Sequence, residues 1–115
     1  MTIERIKVGP RMSQVVIHGD TIYLAGQVAD DPSADVAGQT RQILAKIDNL
    51  LAEAGADKSK VLSANVWLSD ISTFDQMNAV WDKWVTPGHP PARATVESSL
   101  ARPEFKVEIM VVAAR

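Results

Sequence analysis

Phe105-Lys106-Val107-Glu108-Ile109-Met110-Val111-Val112 is the stretch whose reading decides the fold, and His89-Pro90-Pro91-Ala92-Arg93-Ala94-Thr95-Val96-Glu97 leads up to it. Side chains of a strand point alternately to its two faces. Val107, Ile109, Val111 and Ala113 fall on one face, and Glu108, Met110, Val112 and Ala114 on the other. Both sets are mainly apolar, so both faces of this strand are expected to be buried. In a chain of 115 residues the two helices inferred below supply one covering layer and leave none for the far face. Another copy of the chain is expected there, with Tyr23 and Trp67 on the same side. In the stretch His89–Glu97, tandem prolines hold the approach extended and deliver Arg93 to the mouth of a strand.

Working outward, residues 3–8 alternate as a short first strand, and Gly9-Pro10 ends it. Gln14–Ile17 and Thr21–Ala25 are β-rich runs joined through His18-Gly19-Asp20, a hairpin signal. From Asp35 the period changes: Val36, Thr40, Ile43, Ile47, Leu50, Leu51 and Ala54 recur at helical spacing. Ser33 or Asp35 suits the cap and Gly55 the stop. Val61 to Leu68 alternates again, with Leu62, Ala64, Val66 and Leu68 as the expected apolar face. Thr73 followed by Gln76 reads as a capping box, and Phe74, Met77, Val80, Trp81, Trp84 and Val85 line one side of the helix it starts. Strands at about 92–98 and 105–113 close the chain and are expected to pair directly across their short connection. The order is β-β-β-α-β-α-β-β: one α+β domain, residues 1–115, with two helices on one face of a mixed sheet.

The totals exclude several chemistries. With 46% hydrophobic and 23% charged residues the composition is that of a globular protein. No cysteine is present, which removes disulfides, thiolate metal sites and a cysteine nucleophile. The start, Met1-Thr2-Ile3-Glu4-Arg5, lacks a signal-peptide pattern, and no apolar run approaches the ~20 residues that span a bilayer, so a cytoplasmic setting is expected. A formal charge of −2 without a basic cluster argues against a nucleic-acid surface. Gly55–Lys60 lacks the spacing of a phosphate loop. Ser98-Ser99 lacks a nucleophile elbow. His18 and His89 have no evident triad partner, and Asp30-Asp31 reads as solvated loop rather than a metal site.

Two residues remain. An arginine at a strand mouth can grip a carboxylate through two parallel hydrogen bonds. A glutamate on an apolar strand is costly to bury unless paired or used. Arg93 and Glu108 also suit an interface ion pair and a structural carboxylate. Together they suit addition of water to a small organic acid.

Several blocks of the chain resemble the RidA/YjgF family in order and spacing. They are Gly19–Gln27, Glu53-Ala54-Gly55, Phe74–Asn78, Pro91–Glu97 and Lys106–Ile109, with Pro91-Ala92-Arg93 the most specific. The likeness spans essentially the whole chain. It implies a chorismate-mutase-like fold and a homotrimer with clefts between subunits. It also implies hydrolysis of reactive enamines and imines, such as 2-aminoacrylate, to 2-keto acids and ammonia, with no metal or organic cofactor. Arg93 matches the arginine that pairs with the substrate carboxylate, and Glu108 the acid that positions or activates water. Asn78 matches an asparagine near the cleft, and Gly26 lies in the matching glycine turn. Thr95 stands where many members have cysteine, Met12 where typical deaminases have tyrosine, and Ala25 where they have serine. The last two changes make the expected pocket more apolar. A carboxylate-binding regulatory trimer is the alternative from another class. An endoribonuclease is a third, disfavoured by the acidic charge and the lack of paired histidines.

Overall fold

A computed structural model describes residues 1–115. The elements are β1 (Ile3–Val8), β2 (Ser13–His18), β3 (Thr21–Leu24), α1 (Val36–Glu53), β4 (Val61–Leu68), α2 (Phe74–Trp84), β5 (Ala92–Glu97) and β6 (Val107–Ala114). Short 3₁₀ turns, Lys58–Lys60 and Ile71–Thr73, precede β4 and α2. The strands form one sheet in the order β1-β2-β3-β6-β4-β5. Only β4 and β5 are parallel, as the crossover through α2 requires. The hairpin between β2 and β3 turns at Gly19, whose φ of +60° is left-handed.

The strand that decides the fold lies in the interior of the sheet. Val107, Ile109, Val111 and Ala113 are wholly buried against the helices, among one apolar core of 22 residues. On the opposite face Glu108, Met110, Val112 and Ala114 are half-buried. Trp67 stands opposite Glu108 in register, and Tyr23 opposite Val112, so both belong to this uncovered face. Tyr23 is 48% exposed there.

Three expectations are corrected. β5 does not pair with β6: β4 lies between them. The connection passes the end of β4, where Ser98 N–H donates to Leu68 O and Lys106 O accepts from Ser69 N–H. Leu62 does not face the core. A register shift between Val61 and Ser63 puts Val61 in the core with Ala64, Val66 and Leu68, and leaves Leu62 54% exposed. Thr73 makes no capping bond to α2, since its hydroxyl donates to Asp70 O.

Asp70 instead opens an Asp-x-Ser turn of a kind that occurs three times. Asp31, Asp57 and Asp70 each accept the backbone N–H and the hydroxyl of the serine two residues on. The serine hydroxyl, then its N–H, lowers each carboxyl below the usual range. α1 starts at Asp35, whose carboxylate accepts from Gly38 N–H at 2.8 Å, and stops at Gly55 with φ of +81°.

Gln39 ties α1 to the entry of β6. Fully buried, its Nε2 lies 3.0 Å from Pro32 O, 3.1 Å from Ala34 O and 3.1 Å from Glu104 O, while its Oε1 accepts from Lys106 N–H at 2.9 Å. Gln39→Ala strands several buried polar groups. It is expected to lower the unfolding free energy by about 2–4 kcal/mol in a urea titration. A cost below about 0.5 kcal/mol would mean that water replaces the amide.

Candidate functional site

Arg93 rises from β5 on the helix side, opposite the buried Ala64 of β4. β5 is an edge strand, so the guanidinium sits in the open seam between the sheet and α2. Its Cζ lies 5.0 Å from the centroid of Trp81 and 5.7 Å from that of Phe74. Such contacts hold a guanidinium plane while leaving its N–H fork free. The only side-chain hydrogen-bond contact is a long one, 4.0 Å from Nη1 to Met77 Sδ, and no carboxylate pairs with it. Burial draws its pKa below the ordinary arginine value, and Asp82 opposes that shift. The group still carries its charge at neutral pH.

Two further polar groups wait in the same seam. Thr95 lies two residues along β5 on the same side, and Asn78 one turn along α2 from Phe74. Thr95 Oγ1 and Asn78 Oδ1 are buried and have no partner within the chain. Native interiors rarely leave such atoms unpaired, and a ligand is one of the things that satisfies them.

Glu108 is placed differently. It projects from β6 to the uncovered face, beside Trp67. The Arg93 and Glu108 of one chain therefore lie on opposite faces of the sheet and share no cleft. Neither lines any of the chain's cavities. Burial raises the Glu108 carboxyl above its usual pKa, with no cation beside it to oppose the shift.

The turn after β3 is shaped around that carboxylate. Tyr23 faces Val112, and Gln27 exchanges two backbone bonds with Ile109. The β3 side has one residue more than the β6 side between these pairs, so Ala25-Gly26 bows out of the ladder. Gln27 fixes the bow through bonds from Nε2 to Gln14 Oε1 and Ala25 O. A Cβ on Gly26 would overlap Glu108 Oε2 and lie 3.1 Å from its carboxyl carbon. The sequence offered Gly26 as a substrate-binding turn, and the packing gives it a second task, making room for Glu108. Gly26→Ala is expected to keep the fold but displace the carboxylate, and any activity that depends on Glu108 should then fall roughly 10²-fold, the scale of a 1 Å misplacement. In a Glu108→Gln background the same change should cost almost nothing. An independent tenfold loss there would mean that Gly26 acts by another route.

Ala25 joins Gly26 in this turn, next to Glu108. Met12 is 57% exposed in the connection between β1 and β2, away from the Arg93 seam. No group of three or more His, Cys, Asp or Glu side chains is assembled in a metal-binding cluster.

The family described as Endoribonuclease L-PSP matches residues 2–115. A RutC family protein of Haemophilus ducreyi is 46% identical over 112 residues, covering 97% of this chain and 96% of its own. The chain belongs to the RidA/YjgF family. The RutC family protein YoaB of Escherichia coli is 46% identical, with 99% of both chains covered. A crystal structure from Pseudomonas aeruginosa superposes with a TM-score of 0.97 at 46% identity, covering 99% of each chain. A YjgF family protein from Neisseria meningitidis gives 0.98 at 44% identity, covering 100% of this chain and 96% of that one. The fold is accordingly the chorismate-mutase-like fold of the RidA/YjgF proteins.

Proposed function

We propose that this RidA/YjgF protein hydrolyses reactive enamines and imines of the 2-aminoacrylate type, giving 2-keto acids and ammonia. We propose further that it works in the cytoplasm as a homotrimer without metal or organic cofactor. The observation that carries the reading is Arg93: a charged fork, held by two aromatic faces, unpaired, beside two buried polar atoms that lack partners. A ligand carboxylate fits that fork through two parallel bonds.

Glu108 enters from another subunit in this reading. Within one chain it faces away from Arg93, and its face of the sheet is apolar and uncovered. Packing that face on a neighbour would bury Met110, Val112 and Trp67 and bring one subunit's Glu108 toward the next subunit's Arg93 seam. The enamine first takes a proton at its terminal carbon and becomes an iminium. Glu108 accepts a proton from water as the water oxygen bonds to C2, and the C=N electron pair moves to nitrogen. The same proton passes to the amine of the resulting carbinolamine. As the C–N bond breaks and its electron pair leaves with ammonia, the carbinolamine hydroxyl returns its proton to Glu108, the O–H pair closes the C=O bond, and a 2-keto acid remains. A carboxyl with a raised pKa is the stronger base for this work. In this reading Met12 and Ala25 reach the cleft from the subunit that brings Glu108, and they offer no polar group to the imine nitrogen, which favours substrates with apolar side chains.

The test is ammonia and keto-acid release from imines generated in situ by an amino-acid oxidase or dehydratase. Acceleration over buffer supports the reading, and apolar side chains should rank first. Met12 and Ala25 also give substance to a second reading, a non-catalytic trimer that senses a small carboxylate. Saturable keto-acid binding with no ammonia release from any imine would establish that one instead. Endoribonuclease activity, which the family description names, finds no basic stripe on this chain of pI near 5.6.

A further inference from the structure

The largest cavity of the chain lies apart from Arg93 and Glu108, on the outer side of the two helices, with a volume of about 460 Å³. Arg41 of α1, Lys58 of the turn before β4, and Lys83 of α2 converge on it from three separate elements. None of the three forms an ion pair. One acid, Asp48, also lines the cavity, and it accepts a bond from Trp84 Nε1 at 2.9 Å. That bond fixes the indole in the wall, and Lys58 Nζ lies 5.8 Å from the ring centroid. Leu44 and Val80 complete an apolar wall, and Ala37, Ala45 and Ala79 leave it unobstructed.

In a chain of net charge −2, three unpaired cations around one cavity repel one another and focus a positive potential into it. The volume is within the range of small-molecule sites. We infer that this groove binds a small organic anion with a flat apolar body, the body against Trp84, Leu44 and Val80 and the acid group among Arg41, Lys58 and Lys83. A nucleic acid does not fit the case, because the cations surround one pocket and do not form a stripe.

The inference is independent of the proposed deaminase, and its test keeps the two apart. Full-length protein is titrated with 2-naphthoate, with its neutral counterpart 2-naphthalenemethanol and with inorganic phosphate, and amide shifts are followed by NMR. Saturable binding of 2-naphthoate is expected at residues around Trp84, with Arg93→Ala binding equally well. R41E/K83E is expected to weaken it at least about tenfold, and R41Q and K83Q each less, the single variants serving if the double one is unstable. The neutral alcohol and phosphate should each bind more weakly. Equal affinity for acid and alcohol, unchanged affinity in the charge variants, shifts confined to Met110 and Val112, or no saturation by about 10 mM, an affinity of only a few kcal/mol, would each overturn the assignment.

Discussion

Replacing Arg93 with alanine is expected to reduce imine hydrolysis by about 10³-fold, roughly 4 kcal/mol of transition-state stabilisation, while the fold and assembly persist. The asymmetry follows from the setting of the residue. Its guanidinium has no carboxylate partner, so its loss orphans no buried charge, and the penalty usual for breaking a buried pair does not arise. What the fold loses is contact with Trp81 and Phe74, about 0.5–1 kcal/mol each at an exposed site, offset by relief of the burial that draws the arginine pKa down. Arg93→Lys separates charge from geometry. An ammonium keeps the charge but has neither the fork nor the flat face that lies against Trp81, so most of the loss should remain. Steady-state ammonia release, with thermal melting and light scattering in parallel, gives the result. A wild-type rate from Arg93→Ala would end the deaminase proposal.

The legible parts of the fold were those that local pattern determines. α1 repeats its apolar positions over five turns, and the β2–β3 hairpin has a glycine where a left-handed residue is needed. The site was legible as residue types, since a lone arginine and a lone glutamate in apolar strands are conspicuous by cost. Their arrangement was not. Comparing the parity of Arg93 with that of Glu108 requires the register of both strands against β4, which the sequence does not contain. Assuming a direct β5–β6 pairing made the two residues neighbours, and the interposed β4 puts them on opposite faces. The two-sided apolar pattern of β6 was itself a reason to place that strand inside the sheet. Leu62 failed for a related reason: a bulge adds one residue, and strict alternation then assigns one side chain to the wrong face. Glu108 resting on Gly26 left no mark on local pattern beyond the glycine itself, because the contact depends on the bowed turn after β3.

Glu108→Gln is expected to move activity and stability in opposite directions. If Glu108 takes the proton from water, as proposed, it must be ionised, and removing that capacity should lower turnover by about 10²–10⁴-fold. Burial is what raises its pKa, so the ionised form is the one the folded state holds at a cost. The folded protein then binds more protons than the unfolded chain between the ordinary glutamate pKa and the raised one. Stability therefore falls as pH rises through that window, and the cost is fully present above the raised value. Glutamine keeps the shape without the charge. At neutral pH the variant should be as stable as the wild type or slightly more so, by less than about 1 kcal/mol for a half-exposed group. The advantage should vanish as pH drops below the ordinary glutamate range. The wild-type kcat/KM should rise with pH through the raised pKa, and that limb should be missing from whatever rate the variant retains. A carboxylate with a purely structural role would give the reverse, lower stability and an unchanged pH–rate limb. Melting temperature against pH, measured beside the pH–rate profile, separates the two.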